Sequence, residues 1–138
     1  MRHFPKLLAL LLIAAASLPS SHAQAISERA FEYIQRLQKM MEAEAYEEAL
    51  TYIGRVEKFN MSDYDTAIIS QAKGELLATV ERYREAAQAF EKSLQLDVLG
   101  QQKNQQLRLS CGQLYISVEE YEKGIRYLEQ WIQQEEEP

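Results

Sequence analysis

Few side chains of this 138-residue chain are equipped for covalent or acid–base catalysis. His3 and His22 are its only histidines, both before residue 24, and Cys111 is its only cysteine. Histidine is the commonest general base and the usual activator of a cysteine nucleophile. With no histidine downstream, Cys111 beside Gly112 is better explained as a small buried apolar residue. The sequence therefore predicts a protein that is not an enzyme and has no catalytic residues.

The acidic residues gather at expected turns and helix ends rather than in a ligand set. Glu47–Glu48 and Glu119–Glu120 stand at predicted helix starts, where the helix dipole favours negative charge. A metal site needs histidine, cysteine and carboxylate groups at ligand spacing, and no stretch of the chain has that spacing. We therefore expect no metal and no cofactor.

Residues 1–23 have the pattern of a secretory signal peptide. Arg2 and Lys6 give a basic start, residues 7–18 form an apolar run, and residues 21–23 have the small-x-small form of a cleavage site. The run is too short to span a bilayer comfortably; an uncleaved anchor and cleavage after Ala25 are the alternatives. We expect an exported protein, periplasmic or secreted, with no direct membrane insertion after cleavage.

Loss of the signal peptide leaves a strongly acidic chain. The whole sequence has a net charge of −6, and removal of Arg2 and Lys6 leaves 13 basic against 21 acidic residues, a net charge of −8. Nucleic acids and anionic membrane surfaces are polyanions, so neither is predicted as a partner. A single cysteine excludes an internal disulfide.

A unit recurs along the rest of the chain at nearly constant spacing. Its markers are Tyr46, Tyr83 and Tyr121, which lie 37 and 38 residues apart. Each tyrosine is followed by a small residue three positions later and a large apolar residue four positions after that. The small residues are Ala49, Ala86 and Gly124, and the large ones are Ile53, Phe90 and Leu128. Nine positions before the tyrosines stand Leu37, Gly74 and Gly112. Such a period indicates a repeat architecture.

Helix packing explains these residue types. Two helices in a hairpin need a small residue where they approach most closely, which Gly74 and Gly112 supply on the first helix of a unit. The large residue one turn after the second small residue is expected to fill space toward the next hairpin. The aromatic residues recur at helical spacing and indicate a core. Tyr52 and Tyr127 fall one position early and are expected nearer the surface.

Six uninterrupted helices are predicted, because no proline occurs between Pro19 and Pro138 and no stretch alternates like a strand. Ser27 and Ser62 are predicted to cap the first and third helices. The fourth helix is expected to run from Tyr83 to about Asp97 and to be terminated by Leu99–Gly100, since glycine adopts the left-handed cap conformation freely.

The spacing Gly-x2-Leu/Tyr, followed by Tyr-x2-Ala-x3-Phe, resembles the tetratricopeptide repeat. The second unit matches at Gly74, Leu77, Tyr83, Ala86 and Phe90. The third matches at Gly112, Tyr115, Tyr121 and Leu128, with Gly124 in place of the usual alanine. The first keeps Tyr33, Met40, Tyr46, Ala49 and Ile53 but has Leu37 at the glycine position. The proline that usually follows the second helix is absent from the first two units.

By this resemblance the fold is all-α, a right-handed α-solenoid of three antiparallel helix hairpins. The domain would cover residues 24–134, with repeats at about 30–60, 67–98 and 105–134, and residues 135–138 would be an acidic tail or a truncated continuation. The first helices of the units would line a concave groove. The lining would be Ile34, Gln38, Met41, Gln71, Glu75, Ala78, Gln106, Leu109, Gln113 and Ile116.

Amide and apolar groups dominate this groove, so the resemblance implies a neutral or amphipathic peptide or helix of a partner protein as ligand. The lysine and asparagine set with which some family members clamp a terminal carboxylate is absent, and a simply solvated face is the alternative. We expect an exported protein–protein interaction scaffold or adaptor, in the bacterial cell envelope. In overall likeness, rather than through a motif, the chain also resembles the exported tetratricopeptide proteins associated with TonB-type systems.

A second hypothesis makes the array a scaffold segment of a larger envelope-assembly or export protein. The last helix has Ile125, Leu128, Trp131 and Ile132 with no following helix to cover them, which indicates a further repeat or self-association through that helix. A third hypothesis, an enzyme to which the repeats are an accessory, requires catalytic residues outside these 138.

Overall fold

The computed structural model describes residues 25–136, which fold into six α-helices with no β-strand among them. They are α1 (Glu28–Glu42), α2 (Tyr46–Val56), α3 (Asp63–Thr79), α4 (Tyr83–Leu96), α5 (Gln101–Ser117) and α6 (Tyr121–Glu136). The predicted all-α class is confirmed. The predicted signal peptide, residues 1–23, lies outside the described residues, as do residues 137–138 of the predicted acidic tail.

Serine caps begin two of the helices. The Ser27 hydroxyl accepts a hydrogen bond from the backbone N–H of Ala30 (3.2 Å), and the Ser62 hydroxyl accepts one from Asp65 (3.1 Å). Each satisfies an N–H group that the first turn of a helix leaves unpaired, which confirms both predicted caps. The Asp65 carboxylate also accepts from the backbone N–H of Ser27 (3.0 Å), so the start of α3 holds the start of α1.

The turns α1–α2, α3–α4 and α5–α6 share one backbone conformation. Each contains a glutamate with positive φ: Glu44 (57°), Glu81 (64°) and Glu119 (64°). The residue after each glutamate donates its N–H to the carbonyl five positions back, at 2.8 to 2.9 Å. These bonds close the helix ends in Schellman motifs, and each glutamate lies two residues before a marker tyrosine. The period of the sequence therefore reappears in the backbone.

The fourth helix ends within one residue of the predicted Asp97, but the prediction that Gly100 supplies its left-handed cap is wrong. That helix, α4, ends at Leu96, and Asp97 takes the left-handed conformation (φ 50°), which its short polar side chain tolerates. Gly100 has a φ of 90° and instead precedes the first residue of α5. Asn104 stabilises the corner by donating to the Asp97 carboxylate (2.7 Å). Asp97 thus combines a left-handed backbone conformation with a side-chain hydrogen bond that it accepts from the next helix.

Each helix packs against the helix that follows it, and α1 also contacts α3. Close approaches occur at the predicted glycines: a Cβ on Gly74 would overlap the Phe90 ring, and a Cβ on Gly112 would overlap Leu128. Gly124 faces Gly112, whose carbonyl oxygen would lie 3.0 Å from a Cβ on Gly124. The sequence predicts that Phe90 and Leu128 fill space toward the next hairpin. It does not predict their contacts with Gly74 and Gly112 within their own hairpins.

The buried side chains form two clusters, and α3 contributes to both. One cluster combines α1, α2 and α3, the other combines α3, α4 and α5, and Leu50 and Leu99 pack against both. Tyr52 belongs to the first cluster with 9% of its surface exposed, so the prediction that it lies near the surface is wrong. It meets the ring of Tyr33 edge-on, with centroids 6.3 Å apart.

The Gly74→Ala substitution is expected to destabilise the protein by about 1–3 kcal/mol, because the added methyl group would collide with Phe90 in a packed core. Gly54→Ala is the matched control. Nothing lies within 4 Å of a Cβ at that exposed position, so the higher helix propensity of alanine should stabilise by up to about 1 kcal/mol. Urea unfolding of both variants measures the difference. Effects of the same sign would contradict the close approach of α3 and α4.

Candidate binding surface

The residues predicted to line the groove occupy α1, α3 and α5 and differ in exposure. Ile34, Gln71, Glu75 and Ala78 are buried. Gln38, Met41, Gln106, Leu109 and Ile116 are partly buried, and Gln113 is exposed. The predicted groove residues on α3 are therefore shielded from solvent, whereas those on α5 are at least partly accessible to it. The use of the whole set as a single groove stays a prediction.

Helix α3 is buried on almost all sides, because α1, α2 and α4 all pack against it. This burial includes polar side chains: Asp65, Ser70, Gln71 and Glu75 are between 0% and 5% exposed. Asp65 accepts the backbone bond from Ser27 described above. Buried polar groups normally have hydrogen-bond partners, so any that lack one require an explanation.

We call Gln71 and Glu75 the acceptor cluster. Gln71 and Glu75 lie one turn apart on α3, and Gln71 Nε2 donates to Glu75 Oε1 over a long 3.4 Å. Glu75 Oε2, Gln71 Oε1 and Gln106 Oε1 are buried without a hydrogen-bond partner among residues 25–136. An unpaired buried acceptor typically costs about 1–3 kcal/mol, which a bound donor would remove. The cluster therefore has unused capacity to accept hydrogen bonds.

Lys103 on α5 acts electrostatically on Glu75 of the acceptor cluster. It lies on α5 one turn before Gln106 and is partly buried. Burial raises the pKa of Glu75 well above 4.5, against the opposing effects of the Gln71 hydrogen bond and the Lys103 charge. Burial also lowers the pKa of Lys103, against the effect of Glu75. No ion pair within the described chain includes Glu75, which agrees with a raised pKa that favours its uncharged form.

A cleft of about 600 Å³ lies between α5 and α6, and we call it the amide cleft. Five glutamines line it, together with Leu109, Trp131 and Glu135. Gln105 Nε2 donates to the backbone carbonyl of Trp131 (2.7 Å), which fixes one amide across the cleft. The cleft includes Gln106 and Leu109 of the predicted groove, and the Gln106 Oε1 atom is buried there without a partner among the described residues. Glutamine amides both donate and accept, so they suit a peptide backbone.

A contact that sequence reasoning missed joins α4, α5 and α6. The Tyr115 hydroxyl donates to Glu91 Oε1 (3.0 Å) and the Tyr127 hydroxyl donates to Glu91 Oε2. The two tyrosine rings stack with centroids 6.0 Å apart. Burial, followed by donation to Glu91, raises the pKa of both tyrosines. No spacing in the sequence signals this pairing, since Glu91 lies 24 residues from Tyr115 and 36 from Tyr127, on other helices.

Cys111 is fully buried, as predicted, with its Sγ 3.7 Å from the carbonyl oxygen of Ala87. Burial raises the pKa of the thiol, so the thiolate that acts as a nucleophile or metal ligand is disfavoured. The side chain serves packing between α4 and α5.

Over residues 25–136, no three His, Cys, Asp or Glu side chains are grouped so that they could hold a metal ion. The helices in this part of the chain are also too short or too polar to cross a membrane.

The raised pKa of Glu75 predicts a pH-dependent stability. Between pH 4.5 and its native pKa, Glu75 stays protonated in the folded state but ionises on unfolding. The unfolded state then binds fewer protons, so stability falls as pH rises above about 4.5. The Glu75→Gln substitution should remove this fall and stabilise the protein at pH 7 by at least about 1 kcal/mol. Urea unfolding from pH 4 to 8 checks it, with exposed Glu48→Gln as control; parallel curves for wild type and Glu75→Gln would contradict it.

The tyrosine contact predicts a second loss of stability at high pH. The folded state holds the protons of Tyr115 and Tyr127 more tightly than the unfolded state, whose tyrosines ionise near pH 10.0. Stability should be unaffected below that pH and fall above it. The double substitution Tyr115→Phe and Tyr127→Phe should flatten the alkaline fall and cost about 1–3 kcal/mol at pH 7. Exposed Tyr121→Phe is the control, and an unchanged alkaline slope in the double variant would refute the assignment.

Comparisons of the chain with family models, with curated proteins and with solved structures found no match. The resemblance to the tetratricopeptide repeat therefore depends on the residues quoted above and stays a prediction. The described residues establish an all-helical chain in which three turns repeat and an amide-lined cleft lies between α5 and α6.

Proposed function

We propose that the chain is an exported protein–protein interaction adaptor of the bacterial cell envelope, which binds a peptide or helix of a partner protein. The observation that carries the proposal is the amide cleft. Its volume of about 600 Å³ is in the range of ligand sites, and Leu109 and Trp131 offer apolar contacts beside neutral amides. Apolar pockets combined with groups that pair with backbone are the common elements of peptide recognition.

The helical architecture supports the same proposal. In a right-handed solenoid of tetratricopeptide-like hairpins, α1, α3 and α5 would form the inner layer. The repeated turn geometry at Glu44, Glu81 and Glu119 favours hairpins of one shape stacked side by side. Arrays of this kind bind through their surface residues, so the ligand follows from the cleft rather than from the fold. The signal-peptide pattern of residues 1–23 supports export.

A second candidate function is a scaffold segment of a larger envelope-assembly or export protein, or a subunit that self-associates. It is favoured by α6, where Ile125 and Ile132 are each 49% exposed. Seven residues separate the two, so they lie on one face of the helix and form an apolar stripe. A further helical unit or a second copy of the chain would cover this stripe.

A photo-crosslinking amino acid at Gln102 in the cleft, or at exposed Gln113 on α5, is expected to capture one and the same partner in cells that express the protein. Exposed Lys92 on α4 is the control site and should give no band. Mass spectrometry identifies the captured protein. Leu109→Lys should abolish the Gln102 crosslink and leave thermal unfolding unchanged, because it places a charge in the apolar part of the cleft.

Two outcomes would contradict the adaptor proposal: equal bands from all three sites, or a Gln102 crosslink that survives Leu109→Lys. A probe at Ile132 that captures a protein while Gln102 captures none would instead favour the second candidate function. Gln71 is unsuitable as a probe site because it is buried.

A further inference from the structure

We propose that the exposed face of α6 binds a basic, amphipathic helix of a partner protein. The face combines the apolar stripe of Ile125 and Ile132 with a row of carboxylates beside it. Neither isoleucine lines the amide cleft, so this face is a second surface and does not depend on the proposed function.

Helix α4 shows how the same face of a repeat is used when a helix covers it. The marker tyrosines of α4 and α6 are 38 residues apart, so Ala87 corresponds to Ile125 and Leu94 to Ile132. Ala87 is fully buried, with its carbonyl oxygen against Cys111 of α5, and Leu94 packs on the same cluster. Ile125 and Ile132 are each 49% exposed. Within residues 25–136, α6 therefore leaves uncovered the face by which α4 contacts α5.

A row of carboxylates borders the apolar stripe. Glu122, Glu129 and Glu136 are exposed and lie seven residues apart, which places them along one line beside the two isoleucines. We call these three glutamates the acidic row. Arg126 lies 3.9 Å from Glu122, but the two side chains are 60% and 94% exposed, so their pairing adds little. Three carboxylates beside one guanidinium leave the row with a net negative charge.

The middle carboxylate of the acidic row has an equivalent whose partners are known. Glu129 corresponds to Glu91 of α4 by the same shift of 38 residues. Glu91 accepts a hydrogen bond from Tyr115 of the covering helix α5 (3.0 Å), as well as one from Tyr127. A helix that covers α6 would meet Glu129 at the corresponding level and would have to donate to it. Lysine and arginine donate and also bring the positive charge that the whole row attracts.

The same charges disfavour a second copy of the chain as the occupant. A two-fold contact brings one patch against itself, so the two acidic rows would approach each other. Like charges brought together at an interface are destabilising, and the net charge of −6 of each chain adds to the repulsion.

Residue size distinguishes a partner's helix from a further repeat of the array. Ala87 is small where α5 lies close against α4, whereas α6 has Ile125 at that position. Isoleucines seven residues apart with charges beside them match a coiled-coil helix instead. In such pairs, apolar side chains insert between those of a separate helix, and the flanking charges select the partner. We therefore assign the face to a partner helix with apolar residues at heptad spacing and lysine or arginine beside them.

The test uses two synthetic three-heptad peptides with identical apolar positions, one flanked by lysines and the other by glutamates. The like charges of each peptide oppose its pairing with itself. Fluorescence anisotropy measures their binding to the full-length protein, as purified from cells that express it, at about 0.15 M salt, where distant charges are screened. Wild-type protein should bind the lysine peptide at least about tenfold more tightly than the glutamate peptide.

Ile132→Ser tests the apolar part of the face. It should weaken binding of the lysine peptide about tenfold, because the peptide no longer covers a large apolar side chain. General attraction of a basic peptide to an acidic protein would survive this change. An affinity equal to that of wild type would therefore overturn the proposal.

Charge reversal tests the acidic row. A triple variant with lysine at all three positions of the row should prefer the glutamate peptide. The control variant has the same change in net charge at exposed glutamates of α1 and α2, and it should still prefer the lysine peptide. Its substitutions are Glu32→Lys, Glu42→Lys and Glu48→Lys. Equal effects of the two triple variants would overturn the site, and thermal unfolding verifies that each variant is folded.

The other occupants of the face have outcomes of their own. Light scattering should give a monomer at every concentration. A dimer that Ile132→Ser dissociates would overturn the proposal and assign the face to a second copy. A monomer that binds neither peptide would overturn it in favour of a further helical unit.

A variant of the amide cleft separates this inference from the proposed function. Leu109→Ser should bind the lysine peptide like wild type, because Leu109 lines the cleft and not the exposed face of α6. Weaker binding would place the peptide in the cleft and overturn the α6 site. The crosslink from Gln102 tests the adaptor proposal without either peptide, so each proposal can fail while the other stands.

Discussion

The close approach of paired helices is the constraint on which the rest of this structure depends. The absence of a side chain at Gly74 lets the Phe90 ring lie against the backbone of α3, and Gly112 does the same for Leu128. Protein interiors are packed as densely as crystals of small molecules, so a close approach of two helices at one glycine brings their whole facing surfaces together. The consequence for α3 is burial on nearly every side, which encloses its polar residues along with its apolar ones.

Two glutamates illustrate what burial does to a carboxylate in this fold. Glu91 has a tyrosine hydroxyl on each oxygen, so its hydrogen-bonding capacity is used within the chain and it holds three helices together. Glu75 has one long bond from a neighbouring amide and one oxygen without a partner among the described residues. Satisfied polar groups specify a unique packing, whereas unsatisfied ones carry a cost unless something else satisfies them. Glu91 therefore has a structural role, whereas Glu75 keeps an oxygen that the described residues leave unpaired.

The sequence predicts the helices and their turns well, because these depend on local chemistry. The tyrosine period marks the three turns, and Ser27 and Ser62 cap their helices as predicted. The capping residue of α4 is predicted wrongly, because Asp97 gains a partner on α5 that local propensity cannot reveal. The site is predicted less well. Gln71, Glu75 and Gln106 are three of the ten predicted groove residues, but their exposure depends on neighbouring helices. The pairing of Glu91 with Tyr127 crosses 36 residues.

The buried cysteine between α4 and α5 has a consequence for the motions of the protein. A reagent reaches the sulfur of Cys111 only when these two helices separate, since no part of the residue contacts solvent in the closed state. The rate at which the thiol is alkylated therefore reports the frequency of that local opening, as amide exchange would. Because the chain has one cysteine, a disulfide between two copies of Cys111 must join two molecules. The yield of such dimers would therefore also depend on how often α4 and α5 are apart.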